Sequence, residues 1–278
     1  PGLNPEVRTL RAQDVAWLAD LHNAAFADYP VPAVLDASSL GFYLTETDVD
    51  PALSRVAFVD GTPASFCLGA LRGDRASIRG EGTAPGFRRS GLGRLVLEQT
   101  LEALAAAGAR TVTLEVLNGN DAAVGLYRRS GFEQRRRLLG YRLARPGRRL
   151  RARISGGLAE CDSETAIDRL TRWGWSDPPW QLEAESLAHI PAQHLDGRAV
   201  LLGKRRGDHF WLYALAVDPE RRRKGLATRA VSLLPAAWVG VPALIPEEWW
   251  EAGALLRSLA SETEGHWQWE MRRSLVSG

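Results

Sequence analysis

Lysine is nearly missing from this chain of 278 residues: Lys204 and Lys224 stand alone, and arginine supplies the rest of the 35 basic residues. Against 33 acidic residues the formal net charge is only +2. So small an excess gives no footing for nucleic acid or an anionic membrane, whereas the guanidinium groups are suited to phosphate. Cysteine is as scarce. Cys67 and Cys161 fall in different halves and match no metal or disulfide spacing. They are expected to be free thiols in a reducing cytoplasm, and no metal site is expected. No stretch approaches the ~18 consecutive apolar residues of a membrane span, and Pro1 to Arg11 carries no apolar leader. The expected setting is the cytoplasm, without nucleic-acid or membrane partners.

Hydrophobic residues make up 45% and charged residues 24% of the chain, the balance of a globular protein. The length suits two domains better than one core. A repeat supports that division. Thr83-Ala84-Pro85-Gly86-Phe87-Arg88-Arg89-Ser90-Gly91-Leu92-Gly93 is matched in the second half by Val217-Asp218-Pro219-Glu220-Arg221-Arg222-Arg223-Lys224-Gly225-Leu226-Ala227. The proline, arginine, glycine and leucine of each recur at one offset (219 − 85 = 134, and likewise for 222 and 88, 225 and 91, 226 and 92). A single gap-free offset near half the length argues for duplication. The basic Pro-Gly stretch Ala144-Arg145-Pro146-Gly147-Arg148-Arg149 marks the break, dividing the chain into domains 1–145 and 146–278.

Periodicity in the first half predicts a short strand around Val7, helices over 13–26 and 35–44, and strands over 55–59 and 65–71 joined through Asp60-Gly61. A strand over 76–83, a long helix over 91–107 ended by Gly108, a strand over 111–117, a helix over 121–129 and a closing strand over 132–143 follow. This is an α/β (α+β) arrangement, a mixed sheet flanked by helices.

The segment Arg88 to Gly93 lies between a strand and a long helix. Gly91 and Gly93 lack a Cβ, so backbone N–H groups can close on a phosphate at a helix N-terminus, and the arginines add charged donors. Downstream, Leu114-Glu115-Val116-Leu117-Asn118-Gly119-Asn120 leads to Ala123, Leu126-Tyr127 and Ser130-Gly131-Phe132. Together the two motifs resemble those of the GNAT N-acetyltransferase superfamily: [Arg/Gln]-x-x-Gly-x-[Gly/Ala] after a strand, then Asn-x-x-Ala-x-x-Leu-Tyr-x-x-x-Gly-Phe. The resemblance covers most of 1–145. In the second half it rests on the loop and the order of elements.

The resemblance implies two tandem GNAT-fold domains and acetyl-CoA as co-substrate. Arg88, Arg89, Ser90, Gly91, Leu92 and Gly93 would hold the coenzyme A diphosphate. Thr83 would offer backbone groups to the pantetheine arm, Asn120 would contact pantetheine or the strand end, and Tyr127 would stand near the sulfur. Acetyl transfer to an amine asks for a donor to the oxyanion, an acid for the departing thiolate and a base for the amine proton. Tyr127 suits the acid. Glu81, two residues before Thr83 and on the same strand face, is the first candidate base, and Glu115 the reserve. Asp28, Tyr29 and Glu46 run where acceptor segments vary, and each reads as surface. His22 reads as structural, and Arg135-Arg136-Arg137 as an exposed strand face.

The second half keeps a possible cofactor loop, Val217, Arg222, Arg223, Lys224, Gly225, Leu226 and Ala227, but has lost other parts. Leu215 replaces Glu81, Leu256 falls opposite Tyr127, and no asparagine matches Asn120. Tyr213 and His209 remain as substitutes for the lost groups. Nine of the ten tryptophans lie in this half, and most are expected to fill its core. The layout is similar to bacterial tandem-GNAT enzymes of the mycothiol synthase type. The expected activity is acetylation of a primary amine on a small molecule or conjugate. Two alternatives stand beside it: acetylation of a cysteinyl sugar, and an acyl-CoA-binding or sensing protein without turnover. A monomer imitating a GNAT dimer within one chain and a homodimer are both compatible with the repeat.

Overall fold

The computed structural model describes residues 4–30, 34–144, 156–234, 236 and 238–276. The chain divides into two compact units, one formed by residues 1–135 with 270–278, the other by 136–269.

The first unit opens with β1 (Pro5–Thr9), α1 (Val15–Ala25) and α2 (Ala37–Glu46). The carboxylate of Asp36 caps α2 by accepting from the Ser39 N–H at 2.7 Å. The antiparallel strands β2 (Arg55–Val59) and β3 (Thr62–Arg72) join through Asp60 and Gly61, both with positive φ, as a two-residue hairpin requires. Then come β4 (Arg75–Thr83), α3 (Leu92–Ala106), β5 (Thr111–Leu117) and α4 (Asp121–Arg129). The strand order is β1-β2-β3-β4-β5, antiparallel except for the parallel pair β4 and β5. Leu18, Leu21, Leu40 and Leu44 of α1 and α2 pack with Val56, Phe66 and Leu68 on one face.

The next strand, β6 (Glu133–Ala144), starts in the first unit and continues in the second. There follow β7 (Leu158–Cys161), α5 (Ser163–Arg172), α6 (Ala184–Leu187), β8 (Ala192–Leu195), β9 (Ala199–Arg206) and β10 (His209–Val217). The series closes with α7 (Leu226–Ser232), β11 (Trp238–Pro246), α8 (Trp250–Leu259) and β12 (Ala260–Ser274). The second unit repeats the order of the first, β7-β8-β9-β10-β11, with β10 and β11 parallel.

The place beside the fifth strand of each unit goes to the strand that closes the other half of the sequence. In the second unit β6 pairs antiparallel with β11, Leu143 opposite Val239, and buries Leu138, Tyr141 and Leu143 in that unit's core. In the first unit β12 neighbours β5. Its end is held by Leu275 N–H donating to Arg110 O at 2.8 Å and by Arg273 Nη1 donating to Ser130 O at 2.7 Å. The chain passes from the first unit to the second within β6, after Arg135, and the Pro146-Gly147 signal lies outside the described residues.

One expectation holds in part and one is corrected. Arg135 and Arg137 are exposed, pairing with Glu270 and Glu247, whereas Arg136 between them is buried and pairs with Asp177 and Glu248. The second core is mainly aliphatic, and among the described residues Trp180 is the one buried tryptophan. Trp173, Trp175 and Trp249 pack at its margin, and Trp250 is 68% exposed. A large indole with an N–H to satisfy sits more easily at a core's edge, as Trp175 does by donating to Leu182 O at 3.1 Å.

Candidate active site

Strands β4 and β5 pair only from Arg75 opposite Thr111 to Ile78 opposite Leu114. Beyond that they part, so the backbone from Arg79 to Thr83 has no β5 partner. At the fork, Arg79 Nη1 donates to Glu115 Oε2 at 2.7 Å, with side chains 2% and 6% exposed. Breaking so buried a pair would strand a charge, and Glu115 is therefore committed to Arg79 and poorly placed as a base.

The chain leaves β4 through a single turn at Pro85–Phe87. Arg89 (φ 61°) and Gly91 (φ 88°) are both left-handed, and α3 starts at Leu92. Ser90 Oγ donates to Phe87 O at 2.5 Å, closing the loop. Left-handed backbone at alternate residues ahead of a helix turns successive N–H groups to one side, the geometry of an anion cradle.

Arg88 faces elsewhere. Its guanidinium donates to both Asp28 oxygens at 2.6 and 2.8 Å, and to Ala25 O at the end of α1 at 2.9 Å; its Nε donates to Thr83 O at 3.3 Å. The arginine holds the Asp28 carboxyl down at about 2. Arg88 therefore ties the segment after α1 to the end of β4, leaving exposed Arg89 as the loop's outward cation.

Glu81 and Tyr127, 46 residues apart, meet on this unpaired part of β4: Tyr127 Oη donates to Glu81 Oε2 at 3.3 Å. Withdrawal from water raises the Glu81 carboxyl to about 7, against the opposing effect of the Tyr127 bond. Burial, then the Glu81 charge, hold the Tyr127 phenol well above its ordinary value. Its ring meets Phe132 edge-on at 6.0 Å. The neighbouring Thr83 shares a hydrogen bond with Ser65 Oγ at 2.8 Å. The result is a carboxyl poised near neutrality beside a proton-bearing phenol.

Asn120 caps α4, its Oδ1 accepting from Ala123 N–H at 3.2 Å. The Tyr29 hydroxyl lies within hydrogen-bond reach of Asn120 and of the Leu117 backbone, and burial raises its pKa. Tyr29 and Asp28 thus belong to the site's surroundings, although their sequence reads as surface; no local pattern marks them. Glu46 is the last residue of α2. His22 stacks on Phe26 at 4.7 Å, and burial lowers its pKa, as its structural reading expects.

The second unit keeps the loop's backbone. Arg223 (φ 63°) and Gly225 (φ 78°) repeat the left-handed pair, and α7 starts at Leu226. Arg222 repeats the clamp, donating to Val217 O and to Trp173 O at the end of α5. Leu256 sits six residues into α8 as Tyr127 does into α4, and is buried in the core. The carboxyl and phenol of the first unit have no counterpart at these two positions: Leu215 and Leu256 carry no exchangeable proton.

Residues 16–132 match the family model described as Acetyltransferase (GNAT) family. The chain carries a GNAT acetyltransferase domain. The mycothiol acetyltransferase of Beutenbergia cavernae is 35% identical over 125 residues, 44% of this chain and 41% of that protein. The [ribosomal protein bS18]-alanine N-acetyltransferase of Salmonella typhimurium is 36% identical over 75 residues, 27% of this chain and 51% of that one. The match thus spans about half or less of the relatives' own length. In fold, a tandem GNAT protein from the clavulanic acid biosynthesis pathway superposes with a TM-score of 0.66 at 14% identity, covering 99% of this chain and 100% of that one. A putative acetyltransferase from Pyrococcus horikoshii gives 0.69 at 19%, covering 98% and 90%. Both halves therefore have the GNAT fold, in tandem. Among the described residues no helix is long and apolar enough to cross a membrane.

Proposed function

We propose that the chain is an acetyl-CoA-dependent N-acetyltransferase working in its first unit on a primary amine of a small molecule or conjugate. The observation that carries this reading is the Tyr127–Glu81 hydrogen bond beside the left-handed loop at the head of α3. GNAT proteins use acetyl-CoA in general. Here the N–H groups of Arg89 to Gly93 would take its diphosphate, and the unpaired edge of β4 up to Thr83 its pantetheine arm.

The chemistry needs one proton moved from nitrogen to sulfur. The amine nitrogen attacks the thioester carbonyl carbon, and a backbone N–H of β4 stabilises the oxyanion. Glu81, as the carboxylate, takes the nitrogen's proton directly or through one water. As the C–S bond breaks, Tyr127 gives its proton to the thiolate, and the proton on Glu81 refills Tyr127 along their hydrogen bond. The pair ends in its starting charge state. A carboxyl at about 7 is half ionised at neutral pH, which suits a group that must both take and return a proton.

The test is free-thiol release from acetyl-CoA with the full chain across small amines, alanine-starting peptides and a cysteinyl sugar. Turnover with one of them supports the reading. The 35% identity to mycothiol acetyltransferase favours the cysteinyl sugar within the panel. Tight acetyl-CoA binding with no thiol release from any acceptor would favour a sensing protein instead.

A further inference from the structure

The last glycine of the loop, Gly93, meets the carboxylate of Glu81. A Cβ at Gly93 would stand 2.8 Å from Glu81 Oε1, 3.2 Å from Thr83 Oγ1 and 3.7 Å from Leu126 Cδ2. The other carboxylate oxygen, Oε2, accepts from Tyr127. The carboxylate is thus held with one oxygen over a bare Cα and the other on the phenol.

Two facts separate this from a requirement of the loop itself. Gly93 lies inside α3 without a left-handed φ, so helical propensity alone favours alanine there. The second unit, with the same left-handed backbone at Arg223 and Gly225, has Ala227 in this place, and there Leu215 stands where Glu81 does and Val217 where Thr83 does. Where the carboxylate is gone, the Cβ is present.

We propose that Gly93 is a positioning residue, the bare Cα that makes room for the Glu81 carboxylate to reach Tyr127. Its catalytic meaning rests on the acetyl-transfer reading above; its geometric part does not. The titratable group facing Glu81 from β3 is Cys67, directly opposite in register, and from α4 it is Tyr127, near which Tyr29 also acts. None of these is cationic, so the position of the carboxylate governs its titration.

The test is Gly93→Ala in the full chain. The atom that must yield is the end of a flexible side chain, so the fold is expected to persist and the carboxylate to move. Glu81 is followed by carbon-13 NMR titration in protein labelled at glutamate, its signal assigned with Glu81→Gln. The Glu81 midpoint should move by about half a unit or more, while acetyl-CoA affinity, measured by calorimetry, stays within about threefold. In turnover, Gly93→Ala should lower kcat about tenfold beside Glu81 and add nothing beside Glu81→Ala. An unmoved midpoint, or an acetyl-CoA affinity loss of about tenfold with the midpoint unmoved, overturns the proposal and assigns the glycine to phosphate approach. Absence of thiol release from the parent chain overturns acetyl transfer alone, because the NMR midpoint needs no acceptor.

Discussion

Glu81→Gln trades activity for stability, and the size of the trade follows from the carboxyl's setting. In the unfolded chain the carboxyl titrates at its ordinary 4.5; in the folded one at about 7. Between those values the folded state binds more protons than the unfolded state, so stability falls as pH rises through this window. At 1.36 kcal/mol per pKa unit, the ionised carboxylate destabilises the fold by about 3 kcal/mol above pH 7, an upper figure because Glu81 retains some solvent contact. Glutamine keeps the shape and an acceptor for Tyr127 but cannot ionise. Urea unfolding followed by circular dichroism from pH 5 to 8.5 should therefore show the parent losing stability relative to Glu81→Gln, the gap opening as pH passes 5 and levelling above 7. The same substitution should lower kcat by about 10²–10⁴-fold, and the rise of the parent's kcat/KM with pH, centred near 7, should vanish. A stability gap that does not change with pH would refute the raised carboxyl and, with it, the assignment of Glu81 as the base.

Tyr127→Phe keeps the buried ring and removes only the hydroxyl, so kcat should fall by about 10²–10⁴-fold with acetyl-CoA affinity unchanged in calorimetry; kcat within about twofold of the parent would remove Tyr127 from proton transfer. Gly91→Asp sets a carboxylate and a strained left-handed side chain in the anion cradle, and acetyl-CoA affinity should drop about tenfold or more, ~1.4 kcal/mol. Gly225→Asp should leave turnover standing, because Leu215 and Leu256 beside that loop carry no exchangeable proton; turnover lost with Gly225→Asp and kept with Gly91→Asp would reverse the choice of working unit. Asp28→Asn removes the charged partner of Arg88, and the freed segment carrying Tyr29 should raise the acceptor's KM more than that of acetyl-CoA, measured by initial rates.

Much of this was legible along the chain because the determinants are local. The glycines that open the helices after the loops at 91 and 225, and apolar spacing at 3.6 or 2 residues, all act within one turn or one strand. The offset of 134 carries the same signals into the second half, down to the left-handed arginines at 89 and 223. What the sequence could not express is which distant groups share a hydrogen bond. The Tyr127 hydroxyl on Glu81, the capture of Arg88 by Asp28 and of Glu115 by Arg79, and Tyr29 beside Asn120 all join residues dozens of positions apart. They depend on how distant strands, helix ends and loops are brought together, the parting of β4 from β5 after Ile78 among them. The unit boundary was tertiary for the same reason. Alternation along β6 announces a strand with a buried face, but not whose core it faces; pairing with β11 places Leu138, Tyr141 and Leu143 in the second unit, while residues 270–278 return to the first.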